Sequence, residues 1–223
     1  MKFAVLVFPG SNCDHDAYKV IEGLDGASPY FVWHKENDLS DYDCIIVPGG
    51  FSYGDYLRAG AIARFSPIMN ALVNESKKGK LIIGICNGFQ ILLEANLLEG
   101  ALINNSGVKF KSRNVSLSAE NHNTVFTKLI PKDRQIVMPI AHRQGNYRAS
   151  DQLIKKLHDN NQIAFRYSSK MGGNPNGSCS DIAGVLNEKK NVLGMMPHPE
   201  RAADSILGSN DGLYIFQSML ESF

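Results

Sequence analysis

Several things are scarce in this 223-residue chain, and each scarcity narrows what it can be. Its four cysteines, at 13, 44, 86 and 179, are too few for a disulfide scaffold and lack the CxxC spacing of a zinc site. Each thiol must therefore be judged on its own surroundings, no metal site is expected, and a reducing cytoplasm is the expected compartment. Charge of one sign is not in excess either. Lys and Arg number 23 against 22 Asp and Glu, interspersed along the whole chain, which excludes the electrostatic footprint of a nucleic-acid or anionic-membrane binder. Long apolar runs are missing: the opening "MKFAVLVF" is too short for a membrane span or signal peptide and reads as a first core strand. There is no G-x-x-x-x-G-K-[ST] phosphate loop and no spare stretch for a nucleotide-binding domain, so any ATP chemistry belongs to another polypeptide. Repeats, linkers and low-complexity tracts are also lacking.

What remains is a composition, 43% hydrophobic and 20% charged, that suits one domain, 1–223, with a full core. Short runs rich in Val, Ile and Phe ("FAVLVF", "PYFVWH", "CIIV", "KLIIGI") alternate with helical patterns ("DAYKVIEGL", "AIARFSPIMNALVNES", "FQILLEANLL"). That alternation predicts βαβ units and an open, mostly parallel sheet with helices on both faces. The runs "CIIV" and "LIIGI", apolar at every position, should be central strands. In the second half, "VKFKSRNVSLSAEN", "RQIVMPIA" and "IAGVLNEKKNVLGMM" predict added antiparallel strands, with "EKKN" a hairpin tip. "SDQLIKKLHDNN" predicts a short helix opened by a serine or aspartate cap, and "NDGLYIFQSMLESF" a closing helix.

One stretch carries chemistry. "GICNGFQ" places Cys86 where a strand ends and a helix begins, between Gly84 and Gly88. This G-x-C-x-G array has the design of the G-x-S-x-G elbow, in which a nucleophile in a strained positive-φ turn needs glycines two residues away to let strand and helix approach. The sulfur then points over the carboxyl end of the sheet, where open α/β sheets bind ligands. The helix N-terminus beside it favours a negatively charged sulfur. Cys13, Cys44 and Cys179 lack this setting, and Cys44 reads as core packing.

A thiolate nucleophile needs a base and a group to orient that base. In "GMMPHPER", His198 and Glu200 follow a strand in a turn stiffened by Pro197 and Pro199, and they supply both. His15, His34, His122 and His158 read as solvated or locally hydrogen-bonded, whereas His142, ending a strand in "PIAHRQGNY", could reach a site at the sheet's rim. Attack on a carbonyl creates an oxyanion. The N–H of Asn87 is one expected donor, and the loop "VPGGFSYGDYLRAG", with Gly49 and Gly50, is placed to give the other.

P-G-G-F after one strand, G-I-C-N-G-F-Q after the next and H-P-E near the C-terminus, in that order, resemble the class I (triad) glutamine amidotransferases over nearly the whole chain. The resemblance implies a flavodoxin-like fold and hydrolysis of glutamine through a cysteinyl thioester, with the ammonia handed on. Carried over by motif, it implies a triad of Cys86, His198 and Glu200, oxyanion donors at Gly50 and Asn87, and substrate contacts from Gln90, Phe51 and His142. It further implies a large synthetase subunit that uses ATP and Mg, a small accessory subunit, and no cofactor in this chain. One departure stands out: where the family has His-Gly-Glu-Gly, this chain reads "HRQG", with Arg143 and Gln144 replacing a glycine and an acid. A free-standing cysteine hydrolase or peptidase and a scaffold subunit with a decayed site are the competing readings.

Overall fold

A computed structural model describes residues 1–222. Its first half is built as the alternation predicts: β1 (Lys2–Val7), α1 (Asp14–Glu22), β2 (Ser28–Trp33), β3 (Cys44–Val47), α2 (Ile68–Lys77), β4 (Leu81–Ile85) and α3 (Asn87–Glu94). Then follow β5 (Ala101–Ile103), β6 (Lys111–Ala119), β7 (Ile136–His142), β8 (Asn146–Arg148), α4 (Asp151–Asp159), β9 (Ile163–Tyr167), β10 (Ile182–Leu186), β11 (Val192–Met195) and α5 (Leu213–Leu220). No described helix is long and apolar enough to cross a membrane.

Nine strands form one sheet in the order β2-β1-β3-β4-β11-β10-β9-β6-β7. The first five are mutually parallel, and from β11 onward every pair is antiparallel. Every residue of β3, β4 and β11 is buried, as strands covered on both faces require. By contrast β2, at the edge, is largely exposed. β5 and β8 make a separate two-stranded ribbon.

Helix bounds depart from the apolar pattern at two places. The pattern over 61–76 yields an α-helix from Ile68 onward, because Pro67 has no N–H to donate and can only open a helix. α3 stops at Glu94, and Asn96 at φ 56° turns the chain out of the helical run. α4 is capped by Ser150, whose hydroxyl accepts from Leu153 N at 3.2 Å.

What matters for the site is which strand ends lie side by side. β3, β4 and β11 are neighbours in register, Val47 opposite Gly84 and Ile85 opposite Met195, so the segments leaving their carboxyl ends must meet. The far edge strand comes back to the same place, since His198 N, just past β11, donates to Pro139 O of β7 at 2.9 Å.

Candidate active site

At the β4–α3 junction Cys86 has φ 51° and ψ −103°, a strained conformation for a residue with a side chain. The two glycines explain how it is tolerated. A Cβ on Gly84 would lie 2.5 Å from Leu92 Cδ1 and 2.8 Å from the Gly88 carbonyl, and one on Gly88 would run into the Val47 carbonyl. α3 is therefore seated backbone-to-backbone on β3, and the turn has no looser alternative. The Cys86 N–H is fixed by Met195 O at 2.8 Å, and its thiol faces Ala141 O of β7 at 3.7 Å.

His198 and Glu200 lie in the turn after β11. Nδ1 of His198 is 2.6 Å from Glu200 Oε1, with both side chains almost wholly buried. Burial works against an imidazolium here, but the Glu200 carboxylate and the adjacent Cys86 sulfur outweigh it and hold His198 well above its ordinary value. Nε2 has no partner among the described residues, which leaves it free to exchange a proton with sulfur or substrate. The structure thus brings Cys86, His198 and Glu200 together, an arrangement that could serve as nucleophile, base and orienting carboxylate.

The fold adds a residue that the local sequence does not single out. Cys13, at the N-terminus of α1, lies against the same pair: a Cβ on Gly49 would meet His198 Cε1 at 2.9 Å and Cys13 Sγ at 3.1 Å. Arg201 Nη2 donates to Cys13 Sγ at 3.1 Å, and Arg201 Nε to Asp16 Oδ2 at 3.0 Å, so α1 grips the turn that carries Glu200. Burial pushes the Cys13 thiol up, toward the neutral form. Liganding atoms of Cys13, His198 and Glu200 lie within 4.8 Å of one another. A cation there would displace the His198–Glu200 hydrogen bond and face the Arg201 guanidinium, so the group fits a packed proton-transfer pair better than a metal centre. The available signal was position, because Cys13 closely follows the carboxyl end of another parallel strand. Cys44 is core, its thiol raised by burial within β3.

Gly50 has φ 135°, which only glycine adopts readily, and it pairs with Ser11 in an isolated antiparallel bridge. The backbone N–H groups of Gly50 and Asn87 make no hydrogen bond among the described residues. Phe51 is 46% exposed, its N–H held by Gly10 O at 3.0 Å. Gln90 is buried: Nε2 donates to Gln144 O at 2.7 Å, and Oε1 accepts from Asn87 Nδ2 at 2.8 Å. That contact uses the backbone of Gln144, so the exchange of an acid for Gln144 leaves it intact.

His142 ends β7 as expected and is buried, with Nδ1 3.1 Å from Asn105 Oδ1 and Nε2 unpartnered. Burial, with His198 nearby, lowers it to about 4, so it is neutral at pH 7. His34 is also buried, bonded to Ser66 Oγ at 3.2 Å and Tyr53 Oη at 3.0 Å, where it anchors the loop after β3.

The CobB/CobQ-like glutamine amidotransferase domain family matches residues 1–212. The chain belongs to the glutamine amidotransferases. A chain in the structure of PurLQS from Thermotoga maritima is 46% identical to this amidotransferase, covering 99% of this chain and 98% of that one, with a TM-score of 0.90. Two more distant structures share the fold. One is a putative GMP synthase subunit of Thermoplasma acidophilum, 15% identical over 99% of this chain and 92% of that one, with a TM-score of 0.65. The other is the glutaminase domain of Trypanosoma brucei CTPS with bound acivicin, 14% identical over 99% and 94%, with a TM-score of 0.61.

Proposed function

We propose that this chain is the glutaminase subunit of phosphoribosylformylglycinamidine synthase, working in the cytoplasm with a large synthetase subunit and a small accessory subunit. The observation that carries the reading is the buried Cys86, His198 and Glu200 constellation on adjacent strand ends, and the full-length likeness to a PurLQS chain supports the choice of synthase.

Cys86 Sγ attacks the side-chain carbonyl carbon of glutamine, and the N–H groups of Gly50 and Asn87 receive the oxyanion. His198, held in one tautomer by Glu200, protonates the departing amine, and ammonia leaves behind a γ-glutamyl thioester. A water molecule, deprotonated by His198, then cleaves the thioester to give glutamate and the free thiol. Gln90 and Phe51 border the amino-acid end of the substrate, and buried, neutral His142 shapes the wall behind the sulfur. Ammonia passes to the synthetase sheltered from solvent, because in bulk water it would be protonated and lost as a nucleophile. There, ATP with Mg drives the conversion of formylglycinamide ribonucleotide, ammonia and ATP to formylglycinamidine ribonucleotide, ADP and phosphate.

Cys86→Ala in the assembled complex tests the reading. Glutamine-dependent synthesis should vanish while synthesis from added ammonium salts continues at the wild-type rate. Surviving glutamine-dependent synthesis would remove Cys86 from the mechanism, and turnover of peptides by the isolated chain would favour the free-standing hydrolase.

A further inference from the structure

The loop after β3 carries a carboxylate to which the mechanism above gives no task. Asp55 is partly buried, and its Oδ1 accepts from Asn87 Nδ2 at 3.2 Å, the side chain of the residue that follows the nucleophile. The same Asn87 amide binds Gln90 Oε1 at 2.8 Å and accepts from Ser52 N at 3.0 Å, so loop and first turn of α3 are tied into one polar cluster beside Cys86.

No cation answers this charge. Arg58, on the same loop, is turned away to Glu94 of α3 at 2.5 and 2.7 Å, and no Lys, Arg or His among the described residues pairs with Asp55. Burial without a counter-charge raises its carboxyl to about 6. The backbone here is also under constraint. Tyr53, Asp55 and Leu57 lie at φ 54°, 54° and 70°, a left-handed conformation that residues with side chains hold only where their surroundings impose it. A carboxylate held without a side-chain counter-charge against the first turn of α3, beside Cys86, is placed to take a cationic group of a ligand.

We propose that Asp55 receives the α-ammonium group of glutamine, so that charge selects the amino-acid end of the substrate while Cys86 engages the carboxamide. The proposal rests on the glutaminase reading and deepens it. It assigns Asp55 a binding role, and proton transfer stays with His198. An amide of similar length without the amino group would leave Asp55 unpaired, and a site built around that charge should bind it weakly.

The test compares Asp55→Asn with the wild-type chain in the assembled synthase, on glutamine and on glutaramate, which has the same carboxamide and carboxylate but no amino group. Asparagine keeps an oxygen for the Asn87 hydrogen bond and removes only the charge. Asp55→Asn should lower kcat/KM for glutamine by about 10- to 100-fold, mainly through KM, as loss of one charge-assisted hydrogen bond does. Hydrolysis of glutaramate should stay within about twofold of wild type, because nothing bound to the charge has been lost. Equal losses on both amides would overturn the proposal, as Asp55 would then only shape the elbow. Unchanged glutamine kinetics would overturn it too, and so would weakened association with the synthetase on gel filtration at unchanged KM, which would give Asp55 a cation on the partner. A wild-type complex that hydrolyses no glutamine would instead sink the glutaminase reading beneath it.

Discussion

The elbow and the loop that faces it are built on opposite principles. Around Cys86 everything is buried and fixed by backbone: glycines remove the side chains that would hold α3 off the sheet, and hydrogen bonds from Cys86 to carbonyls of β11 and β7 leave the turn one conformation. The loop over 51–65 presents Tyr56, Leu57 and Phe65 at 74%, 91% and 74% exposure. Its start is tied to the β1–α1 loop by Phe51 N–H to Gly10 O and Tyr53 N–H to Pro9 O, and side-chain bonds such as Tyr53 to His34 and Arg58 to Glu94 hold the rest. Bond making needs atoms placed to fractions of an ångström, which a sheet supplies. Capture and release of substrate need a segment that can yield, which a strand cannot be.

Breaking the rigid side should cost most. Glu200→Gln keeps the shape of the pair but removes the charge that holds the His198 tautomer, and kcat should fall by about 10³- to 10⁴-fold with KM nearly unchanged. A loss of tenfold or less, read by steady-state glutaminase assay of the complex, would show that the 2.6 Å contact is packing and not catalysis. Gly88→Ala comes next. Its methyl group has to displace α3 from the Val47 carbonyl, so thermal or denaturant unfolding should register about 3 kcal/mol of destabilisation together with lost activity. A neutral effect would mean that the elbow is looser than its geometry.

On the loop side the effect should be small and of opposite sign. An unpaired carboxylate lifted to about 6 disfavours the folded state once ionised. Asp55→Asn should therefore stabilise the chain at pH 7 by about 1 kcal/mol, allowing for solvent screening of a half-buried group. The gain should shrink as pH falls from about 6 and vanish below about 4, where Asp55 is protonated in both the folded and unfolded chain. Melting curves of both proteins across that window check it. A destabilised variant at pH 7 would show that the folded chain already compensates the charge.

The alternation of apolar runs and helical patterns placed most of the parallel half, because local periodicity decides element type and full burial marks the central strands β3 and β4. Helix ends were read less well: Pro67 and Asn96 cut the apolar pattern short through backbone chemistry that hydrophobicity does not register. Within the site, the strand–glycine–cysteine–glycine–helix order and H-P-E declare themselves, since local sterics and proline geometry set both. Cys13 and Asp55 did not. One looks like any small thiol and the other like any loop acid, until the fold supplies their neighbours.

The residue types at 84–90 and 197–200 by themselves pointed to a strained thiol nucleophile and an oriented base, because each is specified by bonds within a few residues of chain, and the resemblance to the amidotransferases added the amide on which they would act. Tertiary structure alone decided that β3, β4 and β11 would end side by side, that β7 would return across the sheet to hold His198 and face the Cys86 thiol, that α1 would bring Cys13 and Asp16 to the turn of Glu200, and that Asp55 would meet Asn87 while Arg58 pairs with Glu94 instead. Those are consequences of strand order and register, set by burial of the whole core, and no short stretch of sequence contains them.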